Sequence, residues 1–170
     1  MTDKLDPMKT ALAGIKKDYR KMSVDEIKNE LLDFALKASG DWKTQVASCV
    51  ILKNGQALFG VNHLSAGHKL TDKEIKDRTP DYYHKMICSE TDVANKAEEL
   101  MLDLTGATVY SSMFPCPRCA ERLSEAKVSH IKAFYCKVKK NGVFIDPLET
   151  SQKIFDKAGI TYEVGEARDN

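Results

Sequence analysis

The amino-acid sequence predicts an α/β fold in three layers, with a central mixed five-stranded sheet that carries helices on both faces. Two observations predict it. In the second half of the chain, β-rich runs alternate with amphipathic helical segments, which is typical of parallel strands joined by right-handed crossovers. In the first half, a helix precedes two strand-like runs separated by Asn54-Gly55, a dipeptide that favours a tight hairpin turn. The hairpin adds an antiparallel part to the parallel sheet.

The first helix is predicted to begin at Ser23, because Glu26 follows three residues later and completes a capping box. Apolar residues then recur at helical spacing up to Ala38, and Gly40 ends the pattern. The two strands of the hairpin are expected over residues 45–52 and 57–62.

The second half opens with a predicted helix at Cys88, whose apolar stripe extends to Leu104 before Gly106 closes it. A strand over residues 107–113 leads into another helix, for which Pro117 suits the first turn. The remaining predicted elements are a strand over 128–136, a turn at Asn141-Gly142, a helix over 148–157 that stops at Gly159, and a strand over 160–164.

One domain accounts for most of the 170 residues. Residues 1–22 are polar and weakly patterned, so we predict an N-terminal extension followed by a single domain over 23–170. The connection over residues 63–87 has no clear period. Connections of this length in a compact domain are usually functional, which predicts a substrate or lid insertion. A disordered insertion is the alternative.

Charge and hydropathy argue against several functional classes. The formal net charge is +1 and no basic block stands out, so a surface that tracks nucleic-acid phosphates is not indicated. The first residues contain no apolar signal segment, and no run is long and apolar enough to span a bilayer. These features predict a soluble cytoplasmic protein that does not associate with membranes.

The cysteine content favours metal binding over disulfide formation. An odd number, five, argues against a disulfide framework when no secretory segment is evident. In a reducing compartment, clustered cysteines are more often metal-binding or catalytic. Cys49 and Cys136 stand apart in apolar, strand-like runs, and we interpret them as small buried hydrophobic residues.

Two short segments carry the candidate chemistry, Cys88-Ser89-Glu90 and the run from Pro115 to Cys119. They supply three thiolates and one carboxylate, and each segment opens a predicted helix, whose N-terminus stabilises thiolates. Three protein ligands and a water are typical of a catalytic zinc, whereas structural sites close with four ligands. A structural zinc is the alternative. Its fourth ligand would be one of the four histidines, His63, His68, His84 or His130.

These segments resemble the H/C-A-E and P-C-x-x-C boxes of the cytidine deaminase superfamily. The resemblance runs from about Val46 to Val164. It is closest to the deoxycytidylate deaminase branch, because Gly60-Val61-Asn62 and Tyr110–Cys116 resemble segments of that branch. It implies a three-layer cytidine-deaminase-like fold and a Zn²⁺ ion. The ion would be held by Cys88, Cys116 and Cys119, with Glu90 moving protons between the bound water and the substrate.

The resemblance also implies a substrate and the residues that contact it. The expected reaction is hydrolytic deamination of a free cytosine nucleoside or nucleotide (cytidine, deoxycytidine or dCMP), in a homo-oligomer. Asn62 would contact the sugar, the Ser89 backbone would approach the base, and Ser112 and Phe114 would line the pocket. The alternatives are a strand-end turn role for Asn62 and an ordinary core role for Phe114. We further hypothesise that Arg122 bonds a ligand sulfur.

Two departures from that branch leave other functions open. Cys88 stands where the branch has histidine, and Asp92 occupies a position often held by asparagine. A second candidate is therefore a deaminase of another amino-substituted ring, such as guanine, a pterin-like compound or an aminonucleoside antibiotic. A third is an editing enzyme acting on nucleic acid, which the charge balance does not favour. A fourth is a non-catalytic zinc-binding protein, against which the retained Glu90 argues.

Overall fold

A mixed sheet organises the molecule, which a computed structural model describes over residues 17–138 and 148–169. A 3₁₀ helix at Tyr19–Lys21 precedes the regular elements. They are α1 (Val24–Ala38), β1 (Ala47–Ile51), β2 (Ala57–Val61), β3 (His63–Leu64), α2 (Asp72–Asp77), α3 (Pro80–Lys85), β4 (Met86–Ile87), α4 (Ser89–Glu99), β5 (Thr108–Met113), α5 (Pro117–Glu125), β6 (His130–Val138), α6 (Leu148–Ala158), β7 (Thr161–Glu163) and β8 (Glu166–Asp169).

The strand order of the main sheet is β2-β1-β5-β6-β7, and β8 also pairs with β6. β1 runs antiparallel to both β2 and β5, whereas β6 is parallel to β5, β7 and β8. The predicted combination of a hairpin with parallel strands is therefore confirmed. Strand β8 was not predicted, because its sequence, Glu166–Asp169, is polar and lacks an apolar alternation.

Each face of the sheet has its own hydrophobic core. On one face α1 buries Ile27, Leu31 and Ala35 against a cluster that includes Cys49 and Phe59. The core of the other face gathers residues of β1, β2, β5 and β6 with those of three helices, α4, α5 and α6: Val50, Leu58, Val93, Ala97, Val109, Ala120, Leu123, Ile131 and Phe155. The three-layer prediction is confirmed, and so is the buried position of Cys49 and Cys136.

Local signals account for the beginning of the fold. Ser23 and Glu26 form both bonds of the predicted capping box, with the Ser23 amide donating to Glu26 Oε2 at 2.7 Å. Such a cap stabilises a helix by about 1 kcal/mol. At the hairpin, Gly55 has a φ of 86°, and a Cβ there would lie 2.3 Å from Asp18 Oδ1, so only glycine fits. The Tyr19 amide donates to the Gly55 carbonyl, so packing begins before the predicted boundary at residue 23.

Residues 63–87 form a small folded unit. Helices α2 and α3 each begin at a threonine cap, Thr71 and Thr79, and strands β3 and β4 pair as an antiparallel ribbon. Ile75, Tyr82 and Met86 make its core. The alternative of a disordered insertion is wrong. No period was visible because helices of six residues are too short to repeat an apolar stripe.

Helix α4 is shorter than predicted. It ends at Glu99, and Met101, which lies within the apolar stripe predicted to extend to Leu104, is 92% exposed with a φ of 54°. Leu104 is buried, as expected, but it reaches the core from the loop that follows the helix. The apolar spacing therefore continued past the helix only by coincidence. The predicted turn at Asn141-Gly142 lies outside the described residues.

None of the helices within the described ranges combines the length and apolar character needed to cross a membrane.

Candidate active site

The three predicted metal-binding cysteines meet at the starts of two helices. Cys88 is the N-cap residue of α4, Cys116 is the N-cap residue of α5, and Cys119 lies in the first turn of α5. Their Sγ atoms all lie within 4.8 Å of one another, and those of Cys116 and Cys119 are 3.5 Å apart. Three sulfurs at this spacing can surround one ion.

Gly60 of β2 allows α4 to bring Cys88 to this point. A Cβ at residue 60 would lie 2.4 Å from the Ser89 carbonyl oxygen and 2.7 Å from the Val93 amide nitrogen. Any side chain would push the start of α4 away from the sheet. The glycine of the Gly60-Val61-Asn62 segment therefore has a packing role, which is to let a helix approach a strand closely.

The cluster has the chemistry that a zinc ion requires. Hydrogen bonds from the thiols of Cys119 and Cys88, together with the backbone N–H groups of Cys119 and Arg118, hold the pKa of Cys116 far below its usual range. The pKa values of Cys88 and Cys119 rise because their protons are shared with that thiolate. Thiolate sulfur is a preferred zinc ligand, and a bound cation takes the place of the shared protons. The donor set therefore fits zinc.

A hydroxyl group, and not Arg122, lies against the sulfur cluster. The Thr91 Oγ1 atom is 3.4 Å from Cys119 Sγ. Arg122 instead donates from Nε to Asn95 Oδ1 at 3.1 Å and from Nη2 to Glu98 Oε2 at 2.5 Å. Our hypothesis of a bond from Arg122 to a ligand sulfur is therefore wrong. Arg122 lies a turn beyond Cys119 and faces the side of α4, where oxygen acceptors are closer than the sulfurs.

Glu90 lies beside the cysteine cluster and is almost fully buried, with 3% of its surface exposed. Burial, and then the negative charge on Cys116, raise the pKa of its carboxyl group. Ser111 Oγ donates to Glu90 Oε1 at 2.9 Å, and the backbone N–H of Glu90 and the Cys119 thiol also bond this carboxyl group. The structure thus places a carboxyl group with a raised pKa next to the candidate metal ligands.

Ser111, which sequence reasoning missed, bonds Glu90, whereas Ser112, the predicted pocket residue, does not. Neighbouring residues of a strand point to opposite faces, so Ser111 faces Glu90 and Ser112 faces α1. The Ser112 hydroxyl accepts a bond from the Ala47 amide at 3.0 Å, away from the cysteine cluster. Strand alternation places Ser111 on the same face as Val109, but only the packed structure shows that this face belongs to the core on the α4 side.

Asn62 is held by the protein itself. Its Oδ1 accepts from Ser39 Oγ at 2.6 Å and from the Val46 amide at 2.9 Å, and its Nδ2 donates to the Thr44 carbonyl at 2.7 Å. A single N–H remains for any other contact. The alternative role as a strand-end residue is therefore observed, and the expected sugar contact would have to use that one donor.

The remaining two pocket candidates are also packed within the protein. Phe114 meets Phe155 and Tyr162 edge-on, with ring centroids 6.0 Å and 5.8 Å apart, as the core alternative requires. Ser89 is fully buried, and its hydroxyl lies 2.7 Å from Ser48 Oγ. The expected approach of its backbone to a base stays a prediction.

Asp92, which stands where the deoxycytidylate deaminase branch often has asparagine, bonds the basic side chains of Lys96 and His63. Its carboxylate accepts from Lys96 Nζ at 2.7 Å, from the Val61 amide at 3.0 Å and from His63 Nε2 at 3.0 Å. Burial opposes the charge, but His63 and Lys96 lower the pKa of Asp92 below its usual value. The bond to Asp92, more than any other contact, raises the pKa of His63. Lys96 also donates to the Phe59 carbonyl at 3.1 Å.

The folded 63–87 unit is anchored beside the site through Asp41. Arg78 Nη1 and the Tyr82 hydroxyl donate to Asp41 Oδ2 at 2.6 Å and 2.5 Å. On the far side of the unit, Arg118 Nη1 donates to the Tyr83 carbonyl at 2.8 Å. Because Arg118 lies between Cys116 and Cys119, this bond brings the unit to the edge of the cysteine cluster.

Comparisons with known proteins identify a relative in sequence and solved structures of similar fold. An uncharacterized deaminase in the luxG 3' region of Aliivibrio fischeri is 26% identical over 125 residues, which cover 72% of this chain and 80% of that protein. The crystal structure of dCMP deaminase from cyanophage S-TIM5, in complex with dCMP and dUMP, superimposes with a TM-score of 0.63 at 17% identity and covers 84% of this chain and 98% of its own. NE0047 in complex with 2,6-diaminopurine gives 0.56 at 16% identity, covering 91% and 80%.

The family described as the cytidine and deoxycytidylate deaminase zinc-binding region matches residues 23–135. The matched region includes the three clustered cysteines, Glu90 and most of the sheet. The match covers well over half of the chain, which therefore belongs to the cytidine and deoxycytidylate deaminase family.

Proposed function

We propose that this protein is a zinc-dependent hydrolytic deaminase that converts a free cytosine nucleoside or nucleotide to its uracil form. The observation that carries the proposal is Glu90, a buried carboxyl group with a raised pKa beside three cysteines that could hold a metal. A structural zinc needs four closed ligands, and no fourth His, Cys, Asp or Glu joins the group among the described residues. Family membership supports deamination as the reaction.

The chemistry follows from the position of Glu90. A zinc ion held by Cys88, Cys116 and Cys119 would supply a water of lowered pKa. With Oε1 fixed by Ser111, the other oxygen of Glu90 takes a proton from the attacking water and passes it to the ring nitrogen. The water oxygen adds to the carbon that carries the amine. Glu90 then takes the remaining proton of the added hydroxyl group and delivers it to the amine, so that ammonia leaves. The ring gains a carbonyl, and Glu90 returns to its starting state.

A raised pKa suits this double role. A group that both accepts and releases a proton works best when its pKa lies near the working pH. Burial and the neighbouring thiolate move the pKa of Glu90 in that direction. Perturbed carboxyl groups of this kind are enriched at catalytic sites.

The cyanophage enzyme, crystallised with dCMP and dUMP, supports cytosine nucleotides as the first substrate class to test. One observation favours a second candidate, an amino-substituted purine. Three of the four hydrogen-bonding positions of Asn62 are occupied within the protein, which weakens the expected contact to a sugar. A free base would not need that contact, and NE0047 was crystallised with 2,6-diaminopurine.

Ammonia release tests the proposal. Zinc-loaded protein is incubated with cytidine, deoxycytidine, CMP, dCMP, guanine and adenosine beside a Glu90→Gln variant. We expect release from a cytosine compound and a loss of about 10³-fold in the variant. Release from guanine alone would establish the second candidate instead. The proposal would be overturned if none of the six compounds released ammonia, or if the release did not depend on Glu90.

We also propose that the enzyme works in the cytoplasm as a homo-oligomer on small molecules. The net charge of +1 supports free substrates over a nucleic-acid strand. Light scattering of the purified protein measures the assembly, and a monomer at micromolar concentration would contradict this part.

A further inference from the structure

Three buried serine hydroxyls meet behind Glu90. Ser48 lies on β1, Ser89 at the start of α4 and Ser111 on β5, and each has 0% of its surface exposed. Ser48 and Ser111 are direct partners in the antiparallel register of β1 and β5. The Ser48 Oγ atom is 2.7 Å from Ser89 Oγ and 2.9 Å from Ser111 Oγ. The serines therefore form one continuous chain of hydroxyl groups.

The donors and acceptors give this chain a direction. A hydroxyl has one proton, so Ser48, which donates to Ser111, must accept from Ser89. The proton of Ser111 faces two acceptors, Glu90 Oε1 at 2.9 Å and the Met113 carbonyl at 2.7 Å. The chain thus runs from Ser89 through Ser48 to Ser111, whose proton lies between Glu90 Oε1 and the Met113 carbonyl.

Burial shows why three hydroxyls here need an explanation. A hydroxyl removed from water without a hydrogen-bond partner destabilises the folded state. Alanine would fill the same positions without that risk. A set of buried polar groups that satisfy one another makes its arrangement unique and rigid. Because this set ends on a carboxylate oxygen, its rigidity is passed to Glu90.

We propose that Ser111 is a positioning residue for Glu90, and that Ser48 and Ser89 act through it. Ser111 holds Oε1, so that the other oxygen of Glu90 points at the reacting water. This inference rests on the proposed function. It predicts an effect on turnover and little effect on substrate affinity, since all three serines lie behind the carboxylate and are sealed from solvent.

Kinetics of serine variants test the proposal on the zinc-loaded protein. We expect Ser111→Ala to lower kcat by about 10- to 100-fold, with KM and zinc content within twofold of the wild type. Ser48→Ala and Ser89→Ala should lower kcat less. In the Ser111→Ala background, Ser48→Ala should have no further effect, because the hydroxyl path from Ser48 to the Glu90 carboxylate is gone. Multiplying effects, or an unchanged kcat in Ser111→Ala, would overturn the proposal.

Ser151→Ala is the matched control. Ser151 is also fully buried, but its hydroxyl has no hydrogen-bond partner in the described part of the chain, and it lies on α6. The substitution removes the same atom from a buried position, so kcat should stay unchanged. If it fell as far as in Ser111→Ala, the loss would reflect general packing.

Crystal structures supply a readout that does not need turnover. In Ser111→Ala the Glu90 carboxylate should rotate or show two orientations, whereas in Ser151→Ala it should keep the wild-type one. Should Ser111→Ala fail to fold, Ser48→Ala answers the same question, since it frees the Ser111 hydroxyl to turn towards Met113. An immobile Glu90 in these variants would refute the positioning role. Wild-type protein without any turnover would refute the proposed function alone.

Discussion

Glu90 and Asp41 are both buried carboxyl groups, 3% and 0% exposed, yet their surroundings are opposite. Asp41 receives the Arg78 guanidinium, the Tyr82 hydroxyl and the backbone N–H groups of Lys43 and Thr44. Although burial opposes its charge, these bonds hold the pKa of Asp41 below its usual value. Glu90 receives the Ser111 hydroxyl, its own backbone N–H and the Cys119 thiol, but no cation from the described residues, and burial and the nearby Cys116 thiolate raise its pKa.

The difference in hydrogen-bond partners distinguishes Asp41, a structural carboxylate, from Glu90, the candidate reactive one. Burying a charge is costly unless partners compensate it, and the region around Asp41 is fully compensated. That region joins the loop before β1 to the 63–87 unit, so its charge stabilises the fold. Around Glu90 the compensation is incomplete, and the group is poised to exchange a proton. The same chemical group therefore stabilises the fold in one region and, in the proposed function, carries protons in the other.

Removing Asp41 should have the largest effect on stability. Asp41→Ala leaves Arg78 and Tyr82 without their shared acceptor, and we expect it to lower the free energy of unfolding by about 3–5 kcal/mol. Urea denaturation measures the change. Asp33→Ala, which breaks an exposed pair with Lys37, is the matched control and should change stability by less than about 1 kcal/mol. Equal losses in the two variants would show that the compensation around Asp41 contributes little.

The effect of Glu90→Gln on the free energy of unfolding should be the opposite of the effect of Asp41→Ala. Because burial disfavours the charged form of Glu90, an uncharged side chain of the same shape should leave stability unchanged within about 1 kcal/mol, or raise it. The same urea series on protein with equal zinc content measures it. A loss as large as that of Asp41→Ala would mean that Glu90 is structural, and the contrast between the two regions would fail.

A third carboxylate, Asp92, should contribute a smaller and pH-dependent part of the stability through its bond to His63. The bond to Asp92 raises the pKa of His63, so the pair stabilises the fold below the ordinary histidine pKa of about 6.5. The contribution is lost as the pH rises through the raised pKa of His63. On the acid side, it is lost as the pH falls through the lowered pKa of Asp92.

Melting temperatures measured from pH 5 to pH 9 test this pair. His63→Ala should lower the melting temperature by a few degrees near pH 6 and by clearly less near pH 9. His68→Ala is the control, because His68 bonds Ser65 in an exposed loop and has no carboxylate partner among the residues that the structure describes. A His63→Ala effect of the same size at both ends of the range would contradict the assigned charge pairing.

Signals that lie close together in the chain allowed much of the fold to be predicted. The capping box at Ser23, the turn at Gly55 and the helix starts at Cys88 and Cys116 each depend on a few neighbouring residues. These starts were enough to bring the three cysteines together. The helical stripe after Cys88 was extended too far, because nothing nearby shows that the chain turns at Met101.

What sequence reasoning missed depends on partners distant in the chain. Arg122 is directed away from the sulfurs by Asn95 and Glu98, which become neighbours only when α4 and α5 pack. Asn62 is occupied by Ser39, Thr44 and Val46, which no local pattern connects to it. Choosing between Ser111 and Ser112 required the face of β5 that meets α4. Side-chain roles inside a site therefore follow from packing more than from motifs.

The contacts of Asp92 and Lys96 lie at an edge of the main sheet, where a strand of another copy could pair. Strand β2 ends one side of the main sheet, and the unpaired edge of a strand is a template for aggregation. Here Asp92 accepts from the Val61 amide and Lys96 donates to the Phe59 carbonyl, so side chains of α4 occupy backbone groups that an incoming strand would use. The helix that presents Glu90 thus also protects the sheet from edge-to-edge growth.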